Sequence, residues 1–229
     1  DNLETIGYGA FAVNSVERFM TDDKATTYLA DNNTGILYFV SSGVDLFAYP
    51  ASCGVTTFVA TSNVTIDGTT YAVNSFSKKS FYNNTKLVGL DLSKCSNTSP
   101  TTIGESVFEN CTALSTLSIS ANKSVTTIGD KAFRGCTELK GFTLPEGVMQ
   151  IGELAFYQCR SILELVVPIS VTTIGRAAFG EMLSLQRLAV PFIGGGNATG
   201  ADKNILGYVF GSTYSSGTIS TFFRKRVAF

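Results

Sequence analysis

Cys111, Cys136 and Cys159 stand 25 and 23 residues apart, and three thiols at near-regular spacing are the chain's first candidates for a metal site or for thiol chemistry. The same phase, three residues after an aromatic, holds Asn84 at one end and Met182 at the other. A metal site would not exchange a thiolate for either residue, whereas a buried column of small, soft side chains would. These cysteines are therefore read as core. Cys53 and Cys95 fall outside the column, and an odd total of five cysteines argues against a complete disulfide framework, with a Cys53–Cys95 bridge left open.

The remaining chemistry-bearing residues give little. Histidine is absent, which removes Ser-His-Asp triads, Cys-His pairs and imidazole metal sites. Glu164 and Asp91 are the acids placed on one outer face, but three layers separate them. At about 4.8 Å per layer that is roughly 14 Å, beyond the ~5–10 Å over which two glycosidase carboxylates cooperate. Gly194-Gly195-Gly196 lacks the flanking residues of a phosphate loop and reads as a turn. Arg224-Lys225-Arg226, set among Phe222, Phe223 and Phe229, reads as a charged edge strand. Asn32, Asn63, Asn83, Asn97, Asn110, Asn122 and Asn197 each begin an N-x-[ST] sequon. Asn110, next to a buried Cys111, is expected to stay unmodified.

Seventeen basic residues against 18 acidic ones leave no positive field for nucleic acid or anionic lipid. No apolar run approaches the roughly 20 residues of a spanning helix. Any export signal is expected to have been removed before Asp1. No cofactor and no metal are expected, and no membrane insertion.

What positions these residues is a repeat. Copies begin at Ile6, Phe76, Ile103, Ile128, Ile151 and Ile174, and each has an aromatic five residues on: Phe11, Phe81, Phe108, Phe133, Phe156 and Phe179. Gly or Ser follows the first residue, and Ala, Val or Ser precedes the aromatic. A compact turn and a short helical stretch fit this half, with Gly allowing the chain to corner and Ala leaving room for the next layer. The other half reads LxxLxL, as in Leu87, Leu90 and Leu92, or Ile162, Leu165 and Val167. Its last two apolar residues share one face of a short strand. Stacked at 23 to 25 residues per layer, such strands make one parallel sheet, with the turns closing the opposite wall. That is a leucine-rich-repeat solenoid, an α/β repeat fold, right-handed and curved.

VTTIGDKAFRGCTELKGFTLPEGV and VTTIGRAAFGEMLSLQRLAVP resemble the BspA-like class of leucine-rich repeats. The resemblance extends to residues 32–50, NNTGILYFVSSGVDLFAYP, similar to the family's DG-x-LY…L-x-x-YP insertion. It includes residues 190–212, VPFIGGG…LGYVFGS, similar to its PF-x-G…LGY-x-FG segment. Phe76, Ser77 and the Val64 to Tyr71 stretch keep the phase but depart from the motif. The resemblance implies a surface or secreted protein, from a host-associated anaerobic bacterium or a parasitic protist, that adheres to host proteins.

The organisation expected is one domain. Residues 1–30 carry a first repeat, 31–75 a hairpin-bearing insertion flanking Ser41-Ser42-Gly43, 76–191 the regular repeats, and 192–229 a C-terminal segment with strands at Leu206 to Phe210 and Ile219 to Phe223. With no polar cap before the first repeat, the chain is expected to abut further protein. The sheet's outward row is Gly89 and Asp91, Thr116 and Ser118, Gly141 and Thr143, Glu164 and Val166, Arg187 and Ala189. It is the candidate protein-binding face on the concave side, with Glu164 and Arg187 placed to pair across adjacent layers. The expected function is a non-enzymatic, adhesin-like protein-binding module at the cell surface or outside the cell. Its partner would be a protein such as a host extracellular-matrix component. The alternatives are a structural spacer in a larger surface protein and an enzyme of unknown type.

Overall fold

The computed structural model describes residues 28–31, 34–41, 43–50, 56–94, 102–119, 125–190 and 205–211. Chain order runs β1 (Tyr28–Ala30), β2 (Leu37–Val40), β3 (Val44–Ala48), β4 (Thr57–Thr61), β5 (Asn63–Ile66), β6 (Thr69–Phe76), β7 (Gly89–Lys94) and β8 (Thr102–Ile103). It continues with β9 (Thr116–Ser118), β10 (Thr127–Ile128), β11 (Gln150–Ile151), β12 (Glu164–Val166), β13 (Thr173–Ile174), β14 (Arg187–Ala189) and a helix, α1 (Ile205–Phe210). Each repeat turns about one core and so contributes to three walls.

The first wall is the longest continuous sheet. β3, β6, β8, β10, β11 and β13 lie side by side and parallel, in the register Leu46, Phe76, Ile103, Ile128, Ile151, Ile174. Alternation sends those apolar residues inward, and Thr102, Thr127, Gln150 and Thr173 form the opposite row. Two antiparallel hairpins join it, β2 with β3 and β5 with β6. The second hairpin turns on Asp67 and Gly68, both at positive φ (49° and 80°), the pairing a two-residue hairpin turn requires.

The second wall carries the leucine segments. β4, β7 and β9 form one parallel sheet and β12 and β14 another. The single sheet expected is thus broken in the layer between, where residues 141–145 form no strand. That layer puts Phe142 where its neighbours put leucine, and the ring stacks 5.2 Å from Phe156. Gly141 beside it has weak strand preference. β4, from the 31–75 segment, adds a layer to this wall through Phe58 beside Leu90.

The third wall corrects the expectation of short helices. Lys79, Ser106, Lys131, Leu154 and Ala177 have φ of 52° to 62°, and Asn83, Asn110, Gly135, Gln158 and Glu181 have φ of 53° to 75°. Two left-handed residues per turn segment, four apart, exclude an α-helix. The backbone instead bonds between layers: Ser106, Phe108 and Asn110 donate to the carbonyls of Asp130, Ala132 and Arg134, and Lys131, Phe133 and Gly135 to those of Glu153, Ala155 and Tyr157. Each layer donates toward the C-terminal end and accepts from the layer before. α1 is itself a departure, since Leu206 to Phe210 is expected as a strand; an apolar run this short fits either element.

Inside, Phe81, Phe108, Phe133, Phe156 and Phe179 are fully buried and stack at centroid distances of 4.8, 5.3, 5.3 and 6.2 Å. Tyr49 continues the ladder below Phe81 at 4.7 Å, and Phe210 above Phe179 at 6.4 Å. The repeat glycines answer to this stacking rather than to a cornering backbone. A Cβ on Gly152 would lie 2.5 Å from Asp130 N, and one on Gly175 2.3 Å from Glu153 N.

Candidate protein-binding face

The cysteine column has no solvent-facing chemistry. Cys111, Cys136 and Cys159 are fully buried and free, and their thiols donate to the carbonyls of Phe81, Phe108 and Phe133 one layer back, at 3.1, 3.1 and 3.2 Å. Burial pushes all three far above the ordinary thiol range, so they stay protonated and are poor ligands and nucleophiles. Asn84 at the same phase accepts from Lys86 N and Leu87 N, both at 3.0 Å.

Charged groups on the turn wall pair between layers. Lys78 meets Glu105 at 2.7 Å, Arg134 meets the buried Glu109 at 2.6 Å, and Arg160 meets Glu181 at 2.9 Å. Tyr157 Oη and Gln158 Nε2 also donate to Glu181, and these bonds, Tyr157's first, lower its pKa to about 2. Among the described residues no group of three or more His, Cys, Asp or Glu could hold a metal. None of their helices is long and apolar enough to cross a membrane.

A cavity of about 300 Å³ opens beside β2 and β4, lined both by apolar residues such as Ile36, Tyr38 and Phe58 and by polar ones such as Asp31, Asn63 and Thr65. Asp31 Oδ2 accepts from Thr34 at 2.6 Å. Burial first, and Asp31 second, push the Tyr38 phenol well above its ordinary range, so it remains a neutral donor.

The outward row of the leucine wall is brought together in two blocks. Gly89, Thr116 and β4's Thr57 are register partners, as are Asp91, Ser118 and Val59. Glu164 pairs in register with Arg187 and Val166 with Ala189. Thr116, Ser118, Gly141, Thr143, Glu164, Val166 and Arg187 are exposed, and Asp91 and Ala189 are half-buried. Gly89 is buried: a Cβ there would meet Thr116 Oγ1 at 2.8 Å and Thr57 Oγ1 at 3.0 Å. The sequence missed this because β4 carries no LxxLxL signal. Gly141 and Thr143 lie between the blocks, on the stretch that is not a strand. Glu164 and Arg187 form an ion pair at 2.8 Å; with both side chains about half exposed, it is worth little. Exposed Val59, Val166 and Leu163 add apolar surface to this wall. Small, hydroxylated and apolar groups on a hydrogen-bonded backbone can contact a partner's surface, but they present no paired acid and base.

Asn63 is exposed, while the amides of Asn83 and Asn110 are tied to each other at 3.0 Å. The other sequons, the first repeat at Ile6 to Phe11, Cys53 and Cys95, Gly194 to Gly196, Ile219 to Phe223 and Arg224 to Arg226 lie outside the described residues.

Parallel strands stacked once per repeat around a phenylalanine ladder define a leucine-rich-repeat solenoid. The model of the BspA-type leucine-rich repeat region matches six copies over residues 51–186, more than half of the chain, and the chain belongs to that family. No curated protein matches it in sequence. The chain is similar to the T. pallidum leucine-rich repeat protein TpLRR, at 27% identity over 75% of this chain and 71% of that one, with a TM-score of 0.57. A leucine-rich repeat protein from Bacteroides ovatus gives 29% identity, 76% and 41% coverage and a TM-score of 0.56. The pneumococcal vaccine antigen PcpA, at 17% identity, 76% and 39% coverage and a TM-score of 0.61, shares the fold. The chain thus spans less than half the length of the last two.

Proposed function

We propose that this chain is a non-enzymatic protein-binding module of a surface or secreted protein, and that it holds its partner on the outward row of the leucine wall. Membership of the BspA-type repeat family supports the class of function. The observation that carries the choice of face is its composition: the exposed members Thr116, Ser118, Gly141, Thr143 and Val166 are small or modest in size, so another protein's backbone can approach closely. On a curved solenoid this is the concave side, which gathers many repeats around one ligand. An extracellular-matrix protein is the partner class put forward.

The test measures binding of the wild-type chain to a panel of immobilised extracellular-matrix proteins, and compares it with a folded Thr143→Arg, Arg187→Glu double variant. The second change sets two carboxylates where Glu164 and Arg187 now pair. At least a tenfold loss of affinity is expected. Equal affinity would move the site to another wall, and no binding across the panel would favour the spacer.

A further inference from the structure

The cavity beside β2 and β4 is unused by the binding reading. It exists because β4 copies a repeat strand imperfectly. β7 turns Leu90 and Leu92 inward, and both are buried. β4 pairs with it through Phe58 and Leu90, the register shifts between Val59 and Thr61, and the next inward residue after Phe58 is Ala60, which is also buried. An alanine fills less of the layer than a leucine, and the layer beside it cannot close the difference. Ile36 and Tyr38 of β2 and Val73 of β6 line the space that is left.

Two polar side chains of the lining are themselves out of water, Asp31 at 7% exposure and Tyr38 at 5%. The carboxylate lies near enough to add to the effect of burial on the phenol, so Tyr38 keeps its O–H. Thr34 Oγ1 donates to Asp31 Oδ2 at 2.6 Å, and a carboxylate accepts at about four lone-pair sites, so it can hold several donors at once. No described residue of the lining is basic. The field inside is negative and repels anions. Tyr38 and Phe58 are side chains whose ring faces attract a cation, while Ile36 and Val73 give apolar contact. Exposed Asn63 and Thr65 form the wet side of the lining. About 300 Å³ is the small end of ligand sites: it holds a ring on a short stem, not an oligosaccharide.

We propose that this cavity binds a protonated primary amine carried on a short apolar stem, with the ammonium group at Asp31 and Tyr38 and the stem among Ile36, Phe58 and Val73. Free amines and the lysine side chain of a protein partner share that chemistry. The site uses none of the residues changed in the test of the outward row, so either reading can fail alone.

Calorimetric titration of the full chain with phenethylamine, phenethyl alcohol, 3-phenylpropionate and Nα-acetyllysine amide tests it. Phenethylamine should bind saturably and at least tenfold more tightly than the alcohol, and the propionate should not bind. Asp31→Asn should lower affinity for phenethylamine at least tenfold and leave that for the alcohol unchanged. Ala60→Leu restores the residue type of the following layer; it should keep the wild-type circular dichroism and abolish binding. With phenethylamine bound, binding of Nα-acetyllysine amide as well assigns the site to a partner's lysine, and its failure to bind assigns it to a free amine. No binding of phenethylamine to the unaltered chain, or equal binding of amine and alcohol, would overturn the proposal whether or not a variant folds. So would wild-type affinity for phenethylamine in either folded variant.

Discussion

The Cys136 thiol donates to the Phe108 carbonyl at 3.1 Å, and that carbonyl also accepts from Cys111 N at the same distance. The column is therefore a set of weak donors, each satisfying the second lone pair of a buried carbonyl one layer back. A hydroxyl in its place has its acceptor ready. Cys136→Ser should cost only about 1 kcal/mol, because the bond is kept, measured by urea unfolding. In the native protein a thiol reagent should label Cys136 only at the rate of unfolding. Rapid labelling would show that the column is accessible.

Phe133 and Phe156 lie 5.3 Å apart and 6° from parallel, both fully buried. Truncating either to alanine should destabilise the fold by about 3–5 kcal/mol, because the neighbouring layers are held apart by their own rings and cannot close the cavity. The double variant should fall short of the sum, since rings in contact share part of their energy. Denaturant midpoints of the four proteins give both numbers, and strict additivity would mean that the rings do not interact.

Glycine substitutions should separate two uses of one residue. A methyl at Gly175 would meet the backbone of Glu153 at 2.3 Å, whereas one at Gly141 would meet nothing within 4 Å. Gly175→Ala should cost at least about 1–3 kcal/mol through forced separation of two layers. Gly141→Ala should stay within about 0.5 kcal/mol. Equal costs, read from thermal melts, would contradict the layer spacing.

Period made the core legible. Phenylalanine five residues into each copy, the LxxLxL positions and the cysteine phase are buried because each repeats with the layer, and composition at a fixed phase records burial. Backbone shape was less legible. The first left-handed position of each turn is held by Lys79, Ser106, Lys131, Leu154 or Ala177, of which only Ser106 is a turn residue by type, although Asn83, Asn110 and Gly135 at the second position are. The Ala-Phe pairs beside them suit a helix. Tertiary bonds between layers override that local preference, and a single sequence does not display such bonds. The outward row followed from strand alternation at Thr116 and Ser118. Gly89 lies in the same row, in register with Thr57 and Thr116, but is buried between them, because the neighbouring strand β4 lies in a segment without the motif.

The Glu181 carboxylate joins the last two turn layers by accepting from Tyr157, Gln158 and Arg160. The bond from Tyr157 and then the other two hold its pKa at about 2, below the ordinary 4.5. A carboxylate whose folded pKa is depressed adds stability that is fully present above its unfolded pKa. That stability is lost as pH falls toward the folded one, so the window runs from about pH 4.5 down to about 2. Tyr157 shifts the opposite way, upward, chiefly because it donates to Glu181; its share is present below the ordinary tyrosine range and is lost at alkaline pH. Solvent reaches both Arg160 and Glu181, which limits the size of the effect. Glu181→Gln keeps an acceptor but no charge. Its melting temperature should lie a few degrees below the wild type at pH 7, and the gap should close as pH is lowered to 2. A gap that stays constant across that range would show that the carboxylate's charge does not hold these layers together.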